Sequence, residues 1–248
     1  MAASAEALLR VWEDNQHAHP VRRALRALAA AAPEGGANRW AQAPIGVRDR
    51  ALLHLQEQLF GSALHTTADC PTCGERLESD FTVPDVGGAR PEQCPPAATA
   101  AAIHLQEQGF DIEYRLPTSD DLLEILAVPS DASDAVRLLR RCVSRAQRGG
   151  TPLDPAALPE SLVDRIADGM AAHDPDADVR VGLACPACGT AWQVRFDIVT
   201  YFWSELDDWA QRMLADVHTL ARAYGWSEQA ILALSPARRQ LYLEMVAA

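Results

Sequence analysis

Two short peptides, Cys70-Pro-Thr-Cys73-Gly74 and Cys185-Pro-Ala-Cys188-Gly189, constrain this chain more than anything else in its 248 residues. Two residues between paired cysteines let both sulfurs reach one ion from a single tight turn. The glycine after each second cysteine permits the positive φ such a turn needs and lets backbone N–H groups approach the sulfurs. Four thiolates about 2.3 Å from a dication make a closed tetrahedral site with no open position for water or substrate. The motif therefore predicts structural Zn2+ held by Cys70, Cys73, Cys185 and Cys188, although thiolate tetrahedra also accept iron. Between Cys73 and Cys185 lie 111 residues, against about 15 to 20 in a compact zinc ribbon. The metal module must then be discontinuous, and closing so long a loop costs entropy that grows only logarithmically with length.

The flanking pattern supports this. Leu77, Ser79 and Phe81 alternate with Arg76, Glu78 and Asp80, and Val181 and Leu183 alternate with Arg180 and Gly182. Trp192, Val194 and Phe196 alternate with Gln193, Arg195 and Asp197. Period two predicts strands on either side of each cysteine pair. A glutaredoxin-like redox site is the competing reading of Cys-Pro-x-Cys. There, however, the second cysteine opens a helix that lowers the first thiol's pKa, and here a strand pattern follows. Unligated core cysteines are the third reading. Of the six cysteines, Cys142 follows Leu138 and Leu139 on a helical pattern and reads as a small core residue. Cys94 sits before Pro95-Pro96 as a spare thiol.

Elsewhere the spacing is helical. Helices are expected over 5–12, from Pro20 to Ala32 and over 47–59, with a loop running from Pro33 to Gly46. Residues 84–102 read as a Gly-, Pro- and Ala-rich loop, 110–116 as a strand, and 119–128, 131–147 and 159–172 as helices. From Thr200 the chain reads as helical to Val246, broken at Tyr224-Gly225-Trp226 and restarted at Ser227 and Ser235-Pro236. The fold class expected is α+β: mostly helical, with a discontinuous zinc-ribbon-like β-module. Its parts are N-terminal helices (1–62), the ribbon-like module (63–84 plus 179–199), an insertion (85–178) and C-terminal helices (200–248), forming one cooperative unit.

Composition narrows the function classes. The net charge is −12, which speaks against a general nucleic-acid binder and against attraction to an anionic membrane. The alanine-rich tract 24–32 is too short to span a bilayer and contains Arg26. No basic start followed by an apolar core marks a secretory signal, so a cytoplasmic chain is expected. Six cysteines in such a setting point to metal or redox chemistry before disulfides. None of the seven histidines has His-x-x-x-His spacing. His17 and His19 read as a turn, His218 as an ordinary helix residue. Asp174, Asp176 and Asp178 lack the glycine and distal glutamate of a calcium loop and read as a solvated acidic turn. No phosphate-cradling glycine loop or nucleophile elbow occurs, so no catalytic residue is expected and the chain reads as non-enzymatic. Trp203, Trp209 and Trp226 crowd into the last third with Tyr201, Phe202 and Tyr224. They suit a helical core, or a protein-binding surface, where Trp, Tyr and Arg dominate.

Five segments carry a family likeness: Phe196-Asp-Ile-Val-Thr-Tyr-Phe-Trp-Ser-Glu205, Val217-His-Thr-Leu-Ala221, Ala223-Tyr-Gly-Trp-Ser-Glu228, Ile231-Leu-Ala-Leu-Ser235 and Arg238-Arg239-x-x-Tyr242. Together with the two knuckles they resemble T4-type baseplate proteins of contractile phage tails and related contractile injection systems, often described as baseplate hub assembly chaperones. The resemblance implies a non-enzymatic role in building or stabilising the baseplate of a syringe-like particle, with hub or wedge proteins as partners. On that reading Trp203, Tyr224, Trp226 and Arg239 present to the partner, and the chain is cytoplasmic or incorporated into the particle. The alternative is a zinc-ribbon regulator that binds nucleic acid, and the acidic balance opposes it.

Overall fold

The computed structural model describes residues 4–32, 36–87, 102–128 and 133–247. Along the chain come α1 (Ala5–Asp14), α2 (Pro20–Ala31), α3 (Gly36–Ala41) and α4 (Ile45–Phe60), then strands β1 (Ala63–Asp69) and β2 (Arg76–Thr82). A short helix α5 (Val83–Val86) follows, then β3 (Ile103–Glu107), β4 (Phe110–Tyr114), α6 (Ser119–Ala127), α7 (Asp134–Cys142), β5 (Val143–Arg148) and β6 (Thr151–Pro152). The chain continues through α8 (Glu160–His173), β7 (Arg180–Ala184), β8 (Ala191–Arg195), the long α9 (Ile198–Tyr224), α10 (Glu228–Leu232) and α11 (Pro236–Ala247). The class is α+β, with small antiparallel sheets among helices.

The chain divides into two compact units, Met1–Glu34 with Val199–Ala248, and Gly35–Ile198. In the first, Leu9 of α1 packs against Ala210 and Met213 of α9, all 7% exposed or less, with Trp12, Trp209 and Leu232 around them. The Trp12 indole N–H donates to Asp207 at 2.7 Å, so the polar edge of a part-buried ring is satisfied. Ser4 caps α1 and Ser227 caps α10, each accepting a backbone N–H three residues on.

The second unit holds three sheets. β1 and β2 form one hairpin and β7 and β8 another, while β3-β4-β5-β6 form a four-stranded antiparallel sheet. No ladder joins the two hairpins among the described residues. Phe110, Ile112 and Tyr114 alternate inward from β4 onto Leu162 and Ile166 of α8 and Leu139 of α7. This is the period-two pattern burying one sheet face under two helices. Gly169 of α8 leaves room for the Tyr114 hydroxyl, into which a Cβ would run.

Several expectations are corrected here. The helix expected over 131–147 ends at Cys142, and β5 takes over at Val143 and pairs with β4. Local spacing of Leu138, Leu139, Cys142 and Ala146 is helical, but sheet pairing overrides it. Gly149 and Gly150, both at positive φ, turn the chain into β6. The loop expected over 33–46 contains α3 and the start of α4. That expected over 84–102 opens inside α5, capped by a Thr82–Asp85 box, and β3 begins just after it at Ile103. Cys94 lies outside the described residues. Cys142 is a core residue at 1% exposure.

The acidic turn 174–178 is not solvated throughout. Asp174 is 6% exposed and accepts the Gly46 amide at 2.9 Å, and Asp176 pairs with Arg50. Their partners sit on α4, well over a hundred residues earlier, beyond any local pattern.

Candidate metal centre

The two cysteine peptides close the tips of the two hairpins with the same geometry. The Cys70 amide donates to the Glu75 carbonyl at 2.8 Å, and the Gly74 amide to the Cys70 carbonyl at 2.9 Å. In the second hairpin the Cys185 amide donates to Thr190 and the Gly189 amide to Cys185, both at 2.9 Å. Gly74 and Gly189 take φ of 75° and 74°, a left-handed turn that a Cβ would disfavour. Even the registers agree: Asp69 faces Arg76 below one knuckle, and Ala184 faces Ala191 below the other. Proline after the first cysteine fixes φ inside each turn.

This geometry brings the four sulfurs together, all within 4.8 Å of one another. Cys70 lies 3.7 Å from Cys188, and Cys73 lies 3.6 Å from Cys185. A tetrahedron of sulfurs about 2.3 Å from a central ion has edges of about 3.8 Å. The four cysteines could thus hold a metal ion without moving far.

Each knuckle contributes one buried and one exposed sulfur-bearing residue: Cys70 and Cys185 are 3% and 2% exposed, while Cys73 and Cys188 are exposed. Leu77 and Trp192, each seven positions after its first cysteine, pack against the buried pair. They give the cluster an apolar floor and a solvent-facing rim. Sequence alternation placed both residues on strands but not against the sulfurs. Aligning the two knuckles on their cysteines is the signal that would have found them.

Proton affinity within the cluster is uneven. The Thr190 hydroxyl, 3.3 Å from Cys188, with the Thr190 amide, pulls the Cys188 thiol down to about 6. The Glu75 amide favours a Cys73 thiolate, but the sulfurs of Cys185, Cys188 and Cys70 push its pKa up to about 12. The Cys188 thiolate forms readily and Cys73 beside it resists ionising, a repulsion that a dication relieves. Strands, not a helix, leave both knuckles, so no helix N-terminus activates a thiol as in a redox site.

The aromatic residues of the C-terminal segment are arranged in two ways. Arg23 lies over the Trp203 ring, 4.4 Å from its centroid. Tyr224 stacks on Trp226 at 4.7 Å, and Tyr242 meets their rings edge-on at 5.8 and 4.9 Å. Tyr224 is 38% exposed. Arg239 is 8% exposed and donates to Asp216 at 3.2 Å, so its charge is engaged within the chain. His218 is exposed. No helix among the described residues is long and apolar enough to cross a membrane.

No curated protein and no solved structure matches this chain. A family model described as "T4 bacteriophage base plate protein" matches residues 8–203. That span contains both knuckles and the four-stranded sheet, and it ends inside α9, before the Tyr224-Gly-Trp-Ser-Glu228 segment. With most of its length matched, the chain belongs to the T4 bacteriophage base plate protein family.

Proposed function

We propose that this chain is a non-enzymatic component of the baseplate of a contractile, phage-tail-like particle, or a chaperone of its hub, and that it works as a zinc-stabilised scaffold. The observation that carries the reading is the family match over residues 8–203, with the paired knuckles inside it. Cys70, Cys73, Cys185 and Cys188 would hold Zn2+ as four thiolates, a closed set that supplies stability and no reactive position. The matched registers of the two hairpins support a zinc-ribbon-like module that ties the ends of the 85–178 insertion together. On this reading the chain folds as one cooperative unit once the ion is bound.

The partner is a hub or wedge protein, met by the C-terminal aromatic cluster of Tyr224 and Trp226, with Trp203 beside Arg23 as a second contact. Arg239 acts by holding α11 on α9 through Asp216. Quantitative mass spectrometry of purified particles, set beside the soluble lysate, tests the reading. A fixed copy number in particles makes the chain a structural part. A soluble complex with hub subunits, and none in particles, makes it a chaperone. Absence from both sinks the proposal. Replacing Tyr224 and Trp226 by Ala in a folded protein should weaken partner capture, as loss of aromatic anchors does. Unchanged capture moves the contact elsewhere.

A further inference from the structure

Helix α11 is apolar on more than its inner side. Arg239 is buried and Tyr242 and Leu243 are half-buried, while on the opposite side Leu241 is 56% exposed and Met245 64%. Ala237, Arg238, Gln240 and Glu244 are exposed on the same outward face. Leu241 and Met245 lie one turn apart there, with Ala237 one turn before Leu241, and Arg238 and Glu244 flank Leu241 at three residues on either side. The Glu244 carboxylate accepts from Gln240 at 3.3 Å, and no partner is found for the Arg238 guanidinium among the described residues.

We propose that this face pairs with the same face of a second copy of the chain, α11 against α11, antiparallel about a two-fold axis at Leu241. Such an arrangement sets Leu241 against Leu241, Arg238 against Glu244 of the second copy, and the large Met245 against the small Ala237. Every exposed charge on the face meets its opposite, twice per dimer, and the two helix dipoles oppose. It is this symmetry of charge and size about one residue that selects a second copy as occupant; an unrelated partner has no need of it. The chain's −12 charge opposes approach at long range and is screened at physiological salt. A helix of 12 residues offers less than the roughly 800 Å² per partner of a standard interface. The dimer is accordingly weak in solution and strengthened wherever copies are held close together. This surface lies beyond the baseplate reading and does not depend on it.

Sedimentation equilibrium of the metal-loaded full chain, from micromolar to about 0.5 mM, tests the proposal. Wild type should show a monomer–dimer equilibrium. Leu241→Glu, which sets two carboxylates face to face, should weaken it about tenfold or more. Arg238→Glu or Glu244→Arg alone should weaken it about fivefold. The double variant Arg238→Glu/Glu244→Arg should return to within about twofold of wild type, since it only exchanges the two charges. All four positions are exposed, and far-UV circular dichroism confirms folding. A wild type that stays monomeric throughout overturns the proposal, as does a double variant no better than either single one or a Leu241→Glu chain that dimerises normally. Particle copy number, read separately, decides the baseplate reading whichever way this falls.

Discussion

The sulfur of Cys70 stands 3.7 Å from that of Cys188, although 118 positions separate them. A bond network at that point closes a very long loop, and in the chain-entropy account a closed loop of about 100 residues is worth about 4–5 kcal/mol. Chelation of the ion should therefore lower the unfolding midpoint by far more than a surface mutation does. The purified protein should carry one dication per chain, and cobalt in its place should give the absorption of a tetrahedral thiolate complex. Cys70→Ser or Cys185→Ser should abolish binding and cost several kcal/mol. A metal-free protein of unchanged melting temperature would show that the cluster is packed thiols.

The knuckles were legible because their information is local. Spacing, proline and glycine define the turn, and alternation defines the strands that leave it. Helices with one apolar stripe, such as α2 and α9, were legible for the same reason. What escaped depends on distant partners. β5 carries a helical spacing and becomes a strand only because β4 is there to pair with. The turn 174–178 looks like solvated carboxylates until α4 supplies Gly46 and Arg50. Arg239 is expected to present to a partner, and only the approach of α9 brings Asp216 to it.

Gly46 is held by that long-range contact. Its amide donates to Asp174, and a Cβ at this position would collide with the Asp174 carboxyl and the Ala177 amide. Gly46→Ala should thus destabilise by about 1–3 kcal/mol, whereas alanine in an open helix position stabilises. Asp174→Ala in the same background should recover part of the loss, because it removes the colliding group. Equal additive losses in a double-mutant cycle would show that the two sites are not coupled.

Asp49 gives the unit an acid-side signature. Burial pushes its pKa up to about 6 against the pull of Arg48, from an ordinary value of 3.8. Asp174 is shifted the same way, chiefly by burial, against the Gly46 amide. Between those pH values the folded protein binds more protons at Asp49 than the unfolded chain, so this group's contribution falls as pH rises from about 4 to 6. Asp49→Asn should gain on wild type across that window, by up to about 3 kcal/mol. Thiolate protonation at the cysteines is common to both proteins and cancels in the difference. Parallel stability curves from pH 4 to 7 would place Asp49 in a wetter site than the packing indicates.

Asp121 makes the opposite prediction. At 1% exposure it accepts from both terminal nitrogens of Arg115 at 2.6 and 2.7 Å, from Arg141 at 2.8 Å, and from the Thr118 amide and hydroxyl at 2.9 and 2.8 Å. Burial alone would raise its pKa, but Arg115 and the Thr118 capping box hold it well below the usual carboxylate range. Its stabilisation is complete above about pH 4 and is lost as pH falls towards the depressed folded value. Asp121→Asn keeps the shape, takes the counter-charge from Arg115 and leaves Arg141 with Glu124 alone. Because Arg115 and Arg141 keep 34% and 39% of their side-chain surface in water, the cost at pH 7 should be about 2–3 kcal/mol, below that of breaking a fully buried pair. The gap between variant and wild type should narrow as pH drops from 4 to 2. A gap that stays constant over that range would assign the loss to altered capping of α6 and not to charge.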